Sequence, residues 1–143
     1  MSGLHLGLGV AVLAANGVAG VWGAVAWLRG EPSVVFWYLL RVAQATVAAQ
    51  VVLGLLLLAR GDSSPDGLHI AYGVSPLVVA LVSEGLRVAA AQREVEAAGD
   101  VEALDRPEQI MLARRVSLSE MGVMTIGLLL VVTLALRAMQ SGG

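Results

Sequence analysis

Apolar residues run almost unbroken through positions 4–28, 34–59, 67–92 and 117–139, separated by polar stretches at 29–33, 60–66 and 93–116. A membrane crossing takes roughly 20 apolar residues. Backbone groups in lipid must be satisfied within their own segment, so these runs predict four transmembrane helices. The third run differs from the others. It is apolar enough to cross a bilayer, yet it carries His69, Tyr72, Pro76, Glu84 and Arg87. At about 100° per residue, His69, Gly73, Pro76, Ala80 and Arg87 fall on one stripe, with Glu84 beside it. Ionisable groups in hydrocarbon turn inward and pair, so this helix is internal and its polar stripe is where function is sought.

The segments around it supply the ends and the packing faces. Helix 1 presents His5, Gly9, Val12, Asn16 and Gly23 on one face, taken as the inner one. Its glycines at 7, 9, 17, 20 and 23 let a neighbouring backbone come close, and Asn16 needs a partner in the bundle. Residues 29–32 form a tight turn, with Pro32 or Ser33 opening helix 2. Trp22, Trp27, Phe36, Trp37 and Tyr38 flank this turn and read as an interfacial aromatic belt. Asp66 is placed to cap helix 3, and Pro76 frees the carbonyl of Tyr72, so a kink is expected there. Helix 3 runs on past the membrane to a stop at Gly99. Asp105 and Glu108, at capping-box spacing, open a short helix through Arg114 and Arg115 that leads into helix 4, and the last three residues fray. The expected fold is an all-α membrane protein with one domain over residues 1–143. It is a four-transmembrane-helix up-down bundle with a short cytoplasmic helix between helices 3 and 4.

Composition agrees with burial in a lipid bilayer: 57% of the 143 residues are hydrophobic and only 14% charged, with a mean hydropathy of +0.80. The absence of cysteine excludes disulfides and thiolate metal sites. A net charge of −2 argues against a nucleic-acid partner. Ala24-Val25-Ala26 mimics a signal-peptide cleavage site, but no basic residue precedes the long apolar run, so the first segment reads as a span. Arg29, Arg93, Arg106, Arg114 and Arg115 lie on one side and only Arg60 and Arg137 on the other. The positive-inside rule then puts the 93–116 segment in the cytoplasm and both termini outside the plasma membrane.

Two constellations are candidates for chemistry. His5 starts helix 1 and His69 starts helix 3, on the same side of the membrane, each followed one turn deeper by a glycine, Gly9 and Gly73. Helices 1 and 3 are diagonal in an up-down bundle. Two imidazoles with glycines beneath them leave space for a flat ring, as in a haem b held by two axial histidines. Arg60 and Arg137 end the other two helices on this side, where they could pair with propionates, and Tyr72 is a further neighbour. The opposing reading is a terminal histidine in the headgroup region and a second that only hydrogen-bonds across helix ends. A match of helices 1 and 3 at an offset of 64 residues fits a duplicated hairpin or simply equal helix lengths.

The second constellation is Arg41 and Gln44 on helix 2, Glu84 and Arg87 on helix 3, and Glu120 on helix 4. Arg41 is seven residues into helix 2 and Glu84 eight from the inner end of helix 3, depths that agree at about 1.5 Å per residue, with Arg87 one turn lower and Glu120 three residues into helix 4. A lone charge at mid-bilayer costs about 2.5–3.5 kcal/mol, so pairing is expected. The network could be a proton or ion relay. With two arginines and two glutamates in balance, the structural reading is favoured. Met121 and Met124 could offer thioethers to a soft metal but fit packing better.

Residues 39–58 together with GLHIAYG and SLSEMGVM resemble a group of small four-helix membrane proteins from high-GC bacteria, across nearly the whole chain. That resemblance implies the fold and the membrane location and carries no activity. The layout is also similar to four-helix membrane b-type cytochromes, through His5 and His69 alone. The leading functional expectation is therefore a small haem-binding protein for electron transfer or redox sensing near the outer face. The alternatives are a non-catalytic accessory subunit of a larger membrane complex, or a homo-oligomeric transporter using the Arg/Glu cluster.

Overall fold

The computed structural model describes residues 2–61 and 67–141, apart from the side chains of Ser2, Leu68, His69 and Ser141. These residues form α1 (Ser2–Leu28), α2 (Val34–Ala59), α3 (Gly67–Ala98) and α4 (Arg106–Ser141), with a 3-10 turn at Val101–Ala103 and no strand. All four helices are long and apolar enough to cross a membrane. The expected cap at Asp66 and the chain end at Gly142 and Gly143 lie outside the described residues.

Local chemistry sets the ends. α1 stops at Gly30, whose φ of 67° favours glycine. The N–H of Gly30 donates to the Trp27 carbonyl and that of Glu31 to the Ala26 carbonyl, a Schellman closure. Ser33 caps α2, accepting from the Phe36 N–H while its hydroxyl also accepts from the indole of Trp22. Gly99, at φ 76°, ends α3 as expected. The Asp105 carboxylate accepts from the Glu108 N–H at 2.9 Å and the Glu108 carboxylate from the Asp105 N–H at 3.0 Å, a closed capping box. Asp105→Ala is expected to cost about 1 kcal/mol. Faster amide exchange at Glu108 would register this, and unchanged exchange would mean that the box contributes nothing.

One boundary differs from the expectation. The short helix and helix 4 are a single element of 36 residues, and the connection after α3 is only residues 99–105 with their 3-10 turn. Pro107 sits in the first turn, where its missing N–H has no intrahelical partner to lose. No further proline or glycine occurs before Gly122. Nothing in the sequence can therefore break the helix at the membrane surface. The extension is tied down by Arg114, whose guanidinium donates to the Gly30 carbonyl at 2.7 and 3.2 Å.

The helices are arranged in a square, α1–α2–α3–α4. α3 packs chiefly on α4, α1 packs on both α2 and α4, and α2 meets α3 over a shorter seam. Neighbours are antiparallel. Across α1 and α4, Trp27 lies by Gly122 and Gly20 by Leu129, while across α3 and α4, Ser83 lies by Gly127 and Arg87 by Glu120. α1 and α3 therefore start on the same side. The core is built by α1, α2 and α4: Ala19, Phe36, Leu40, Ala43, Met121, Met124 and Leu128 form one cluster, and Val12, Val47, Val131 and Ala135 a second. Met121 and Met124 are thus packing residues.

Close approach at glycines falls on part of α1 and on α4, where Gly122 meets the Trp27 ring and Gly127 meets Ser83. A Cβ on Gly23 would collide with the Phe36 ring and the Thr125 hydroxyl, and one on Gly20 would touch Leu129 at 3.0 Å. Gly7 and Gly17, expected to share this role, face open space among the described residues. Phe36 also departs from the expected belt. It is fully buried, because Gly23 leaves room for its ring, whereas Trp22, Trp27 and Tyr38 are exposed. Asn16 finds its partner within α1, donating to the Val12 carbonyl at 2.8 Å, rather than across the bundle.

Candidate functional site: a charged junction of three helices

The polar stripe of α3 meets α2 and α4 through salt bridges. Residues three apart on a helix share a face, so Glu84 and Arg87 point the same way and bond each other, Arg87 Nε to Glu84 Oε2 at 2.8 Å. From α2, Arg41 Nη1 donates to Glu84 Oε1 at 2.8 Å and to Gln44 Oε1 at 2.6 Å. Gln44 in turn donates to Glu84 Oε1 at 2.8 Å. From α4, Glu120 accepts from Arg87 Nη1 at 2.7 Å. All five residues expected to cluster are brought together.

Glu84 is the hub. One of its oxygens accepts from Arg41 and Gln44 and the other from Arg87, so three donors hold it. A proton-relaying carboxylate must exchange partners easily, and this one is engaged from two helices at once. Arg87 links the next pair and lies over the Trp37 ring at 5.8 Å, a cation–π contact from α2. Trp37, like Phe36, thus departs from the expected belt. Its spacing of four from Arg41 on α2 is the signal that could have placed it on this face. With two positive and two negative side chains, the junction is neutral and ties α2, α3 and α4 at one height.

Exposure within the junction is uneven. Arg87 and Glu120 are half-buried, but the Arg41 side chain is 58% exposed at the α2–α3 seam, although it lies seven residues inside a helix apolar enough to cross a membrane. A second polar junction, unforeseen from the sequence, lies nearer the α1–α2 turn: the Ser119 hydroxyl donates to Glu94 Oε1 at 2.6 Å, and Arg115 Nε is 4.0 Å from Glu94 Oε2.

At the opposite end of the bundle, His5 is turned to α2. Its Nε2 is 3.3 Å from the Gln50 amide nitrogen, and a Cβ on Gly54 would touch its ring at 3.6 Å. Gly9 faces the same Gln50. Arg60 forms the C-cap of α2, and Arg60 and Arg137 are both exposed. Tyr72 and Gly73 are half-buried, with no side chain within 4 Å of the Gly73 Cβ position among the described residues. The His69 side chain lies outside the described residues.

Comparison of the chain with family models, curated proteins and solved structures returns no match. The site is read from its own geometry.

Proposed function

We propose that this protein is a non-catalytic subunit of a larger membrane assembly. It crosses a bacterial plasma membrane four times and docks a neighbouring chain at the α2–α3 seam. One observation carries the reading: Arg41 is majority-exposed within a spanning helix. Glu84 and Gln44 already offset part of that charge, and a polar group on a neighbouring chain at that depth would cover the face left towards lipid, where an unpaired arginine costs about 2.5–3.5 kcal/mol. Glu84, held by three donors, supports a clamp over the relay that a transporter would need.

The test is the size of the complex extracted from its own membrane in mild detergent. The wild type is expected in a particle several times the 14.8 kDa chain, and Arg41→Leu is expected to release the single chain. A wild type extracted alone would contradict the proposal.

In this reading both termini lie outside and residues 99–105 inside, supported by the five arginines on the inner side against two on the outer. A membrane-impermeant maleimide should label Gly3→Cys in intact cells and Ala103→Cys only after permeabilisation. The reverse pattern would invert the topology.

Haem binding by His5 and His69 is the competing proposal, supported by α1 and α3 starting on the same side of the bundle. Oxidised and dithionite-reduced spectra separate the two. The accessory-subunit reading predicts a featureless visible spectrum after expression with ample haem. A Soret band lost in both His5→Ala and His69→Ala would replace that reading.

A further inference from the structure

Over α4, between the ends of α1 and α3 nearest the α1–α2 turn, an open groove of about 420 Å³ runs along the bundle surface. Its floor is apolar, formed by Trp27, Ala90, Val123 and Ile126, and its polar residues Glu94, Arg115 and Ser119 gather at one end. Arg115 and Ile126 are eleven residues apart on α4, about 16 Å along the helix axis. The groove therefore grades from charged to apolar along a spanning helix, in the same sense as one leaflet of a bilayer.

The charged end has a specific composition. It presents one cation and one anion, and these satisfy each other poorly: Arg115 and Glu94 meet only at 4.0 Å, and the Arg115 side chain is 57% exposed. Ser119 fixes the Glu94 carboxylate from below with a 2.6 Å hydrogen bond, leaving its other oxygen directed at Arg115. We infer that the groove holds one phospholipid with a phosphoethanolamine headgroup. The phosphate sits on the Arg115 guanidinium, whose fork matches it. The primary ammonium donates to Glu94, and an acyl chain lies along Trp27, Val123 and Ile126. A phosphocholine headgroup has no N–H to give Glu94, and a phosphoglycerol headgroup has no cation for it. The pair thus selects against both. This inference is independent of what docks at Arg41.

The test uses the full chain, purified in detergent and equilibrated with an equimolar mixture of phosphatidylethanolamine, phosphatidylcholine and phosphatidylglycerol, with bound lipids read by native mass spectrometry. One phosphatidylethanolamine is expected to be retained about tenfold over either competitor, the worth of one charge-assisted hydrogen bond. Glu94→Gln should level phosphatidylethanolamine with phosphatidylcholine. Ala90→Trp, which fills the floor, should remove the bound lipid. Equal retention of all three lipids by the wild type, or a preference unmoved by Glu94→Gln, would overturn the inference and leave only annular lipid. A preference for phosphatidylglycerol would overturn it in favour of a simple arginine contact.

Discussion

Glu84→Leu is expected to destabilise the bundle by about 3 kcal/mol, the lower end of the range for stripping one partner from a buried ion pair. The substitution removes an acceptor from both Arg41 and Arg87, yet the two losses are unequal. Arg41 is 58% exposed and keeps Gln44 as a partner, whereas Arg87 is 24% exposed and is left with Glu120 alone. Most of the cost therefore falls on the α3–α4 contact. A double-mutant cycle sharpens the point. Arg87→Met and Glu120→Met each leave an unbalanced charge, whereas the double variant leaves the neutral pair Arg41–Glu84. The double variant should be more stable than the sum of the single losses predicts by more than about 1 kcal/mol. Equilibrium unfolding in mixed micelles measures both, and strictly additive losses would mean that the charges do not act as one lock.

Gly23→Val carries the second large effect. Even a Cβ at this position collides with the Phe36 ring and the Thr125 hydroxyl, both fully or almost fully buried between three helices. Overpacking of a closed core costs about 1–3 kcal/mol, and a branched side chain against an immobile ring belongs at the top of that range. The better helix propensity of valine over glycine returns only a few tenths of a kcal/mol and does not offset it. Gly17→Ala is the control: its Cβ meets nothing within 4 Å among the described residues, so it should lose no stability and gain up to about 1 kcal/mol from helix propensity. Equal losses at the two positions would show that glycine flexibility, and not close packing, is what Gly23 supplies.

The spans and the charged junction were legible because both follow from the cost of polar groups in hydrocarbon. Apolar runs of this length have to be helical, and Arg41, Glu84, Arg87 and Glu120 at matching depths have to pair. What could not be read was rotation about the helix axes. The face of α1 that carries His5 and Gly9 could address α2 or α3, and its contacts with Gln50 and Gly54 of α2 come from far along the chain. Phe36 and Tyr38 look alike beside an interfacial turn, and only the absence of a side chain at Gly23, thirteen residues earlier, assigns one to the core. The unity of α4 was hidden for a different reason. Polarity changes at Ser117, but polarity does not end a helix, and no breaker lies there. Glu94 and Ser119 escaped notice because each alone is an ordinary surface residue, and only the antiparallel register of α3 and α4 joins them.

The native chain has no cysteine, so single cysteines report without background. Val42 on α2 and Val18 on α1 are almost equally exposed, at 57% and 58%. Val42 follows Arg41 directly on the exposed side of α2, whereas Val18 is on another helix. With a photoactivatable thiol reagent on each, in native membranes, the account predicts a discrete cross-linked protein band from Val42→Cys that Arg41→Leu abolishes, and lipid adducts alone from Val18→Cys. Lipid adducts alone from both positions would contradict the claim that this face docks another chain.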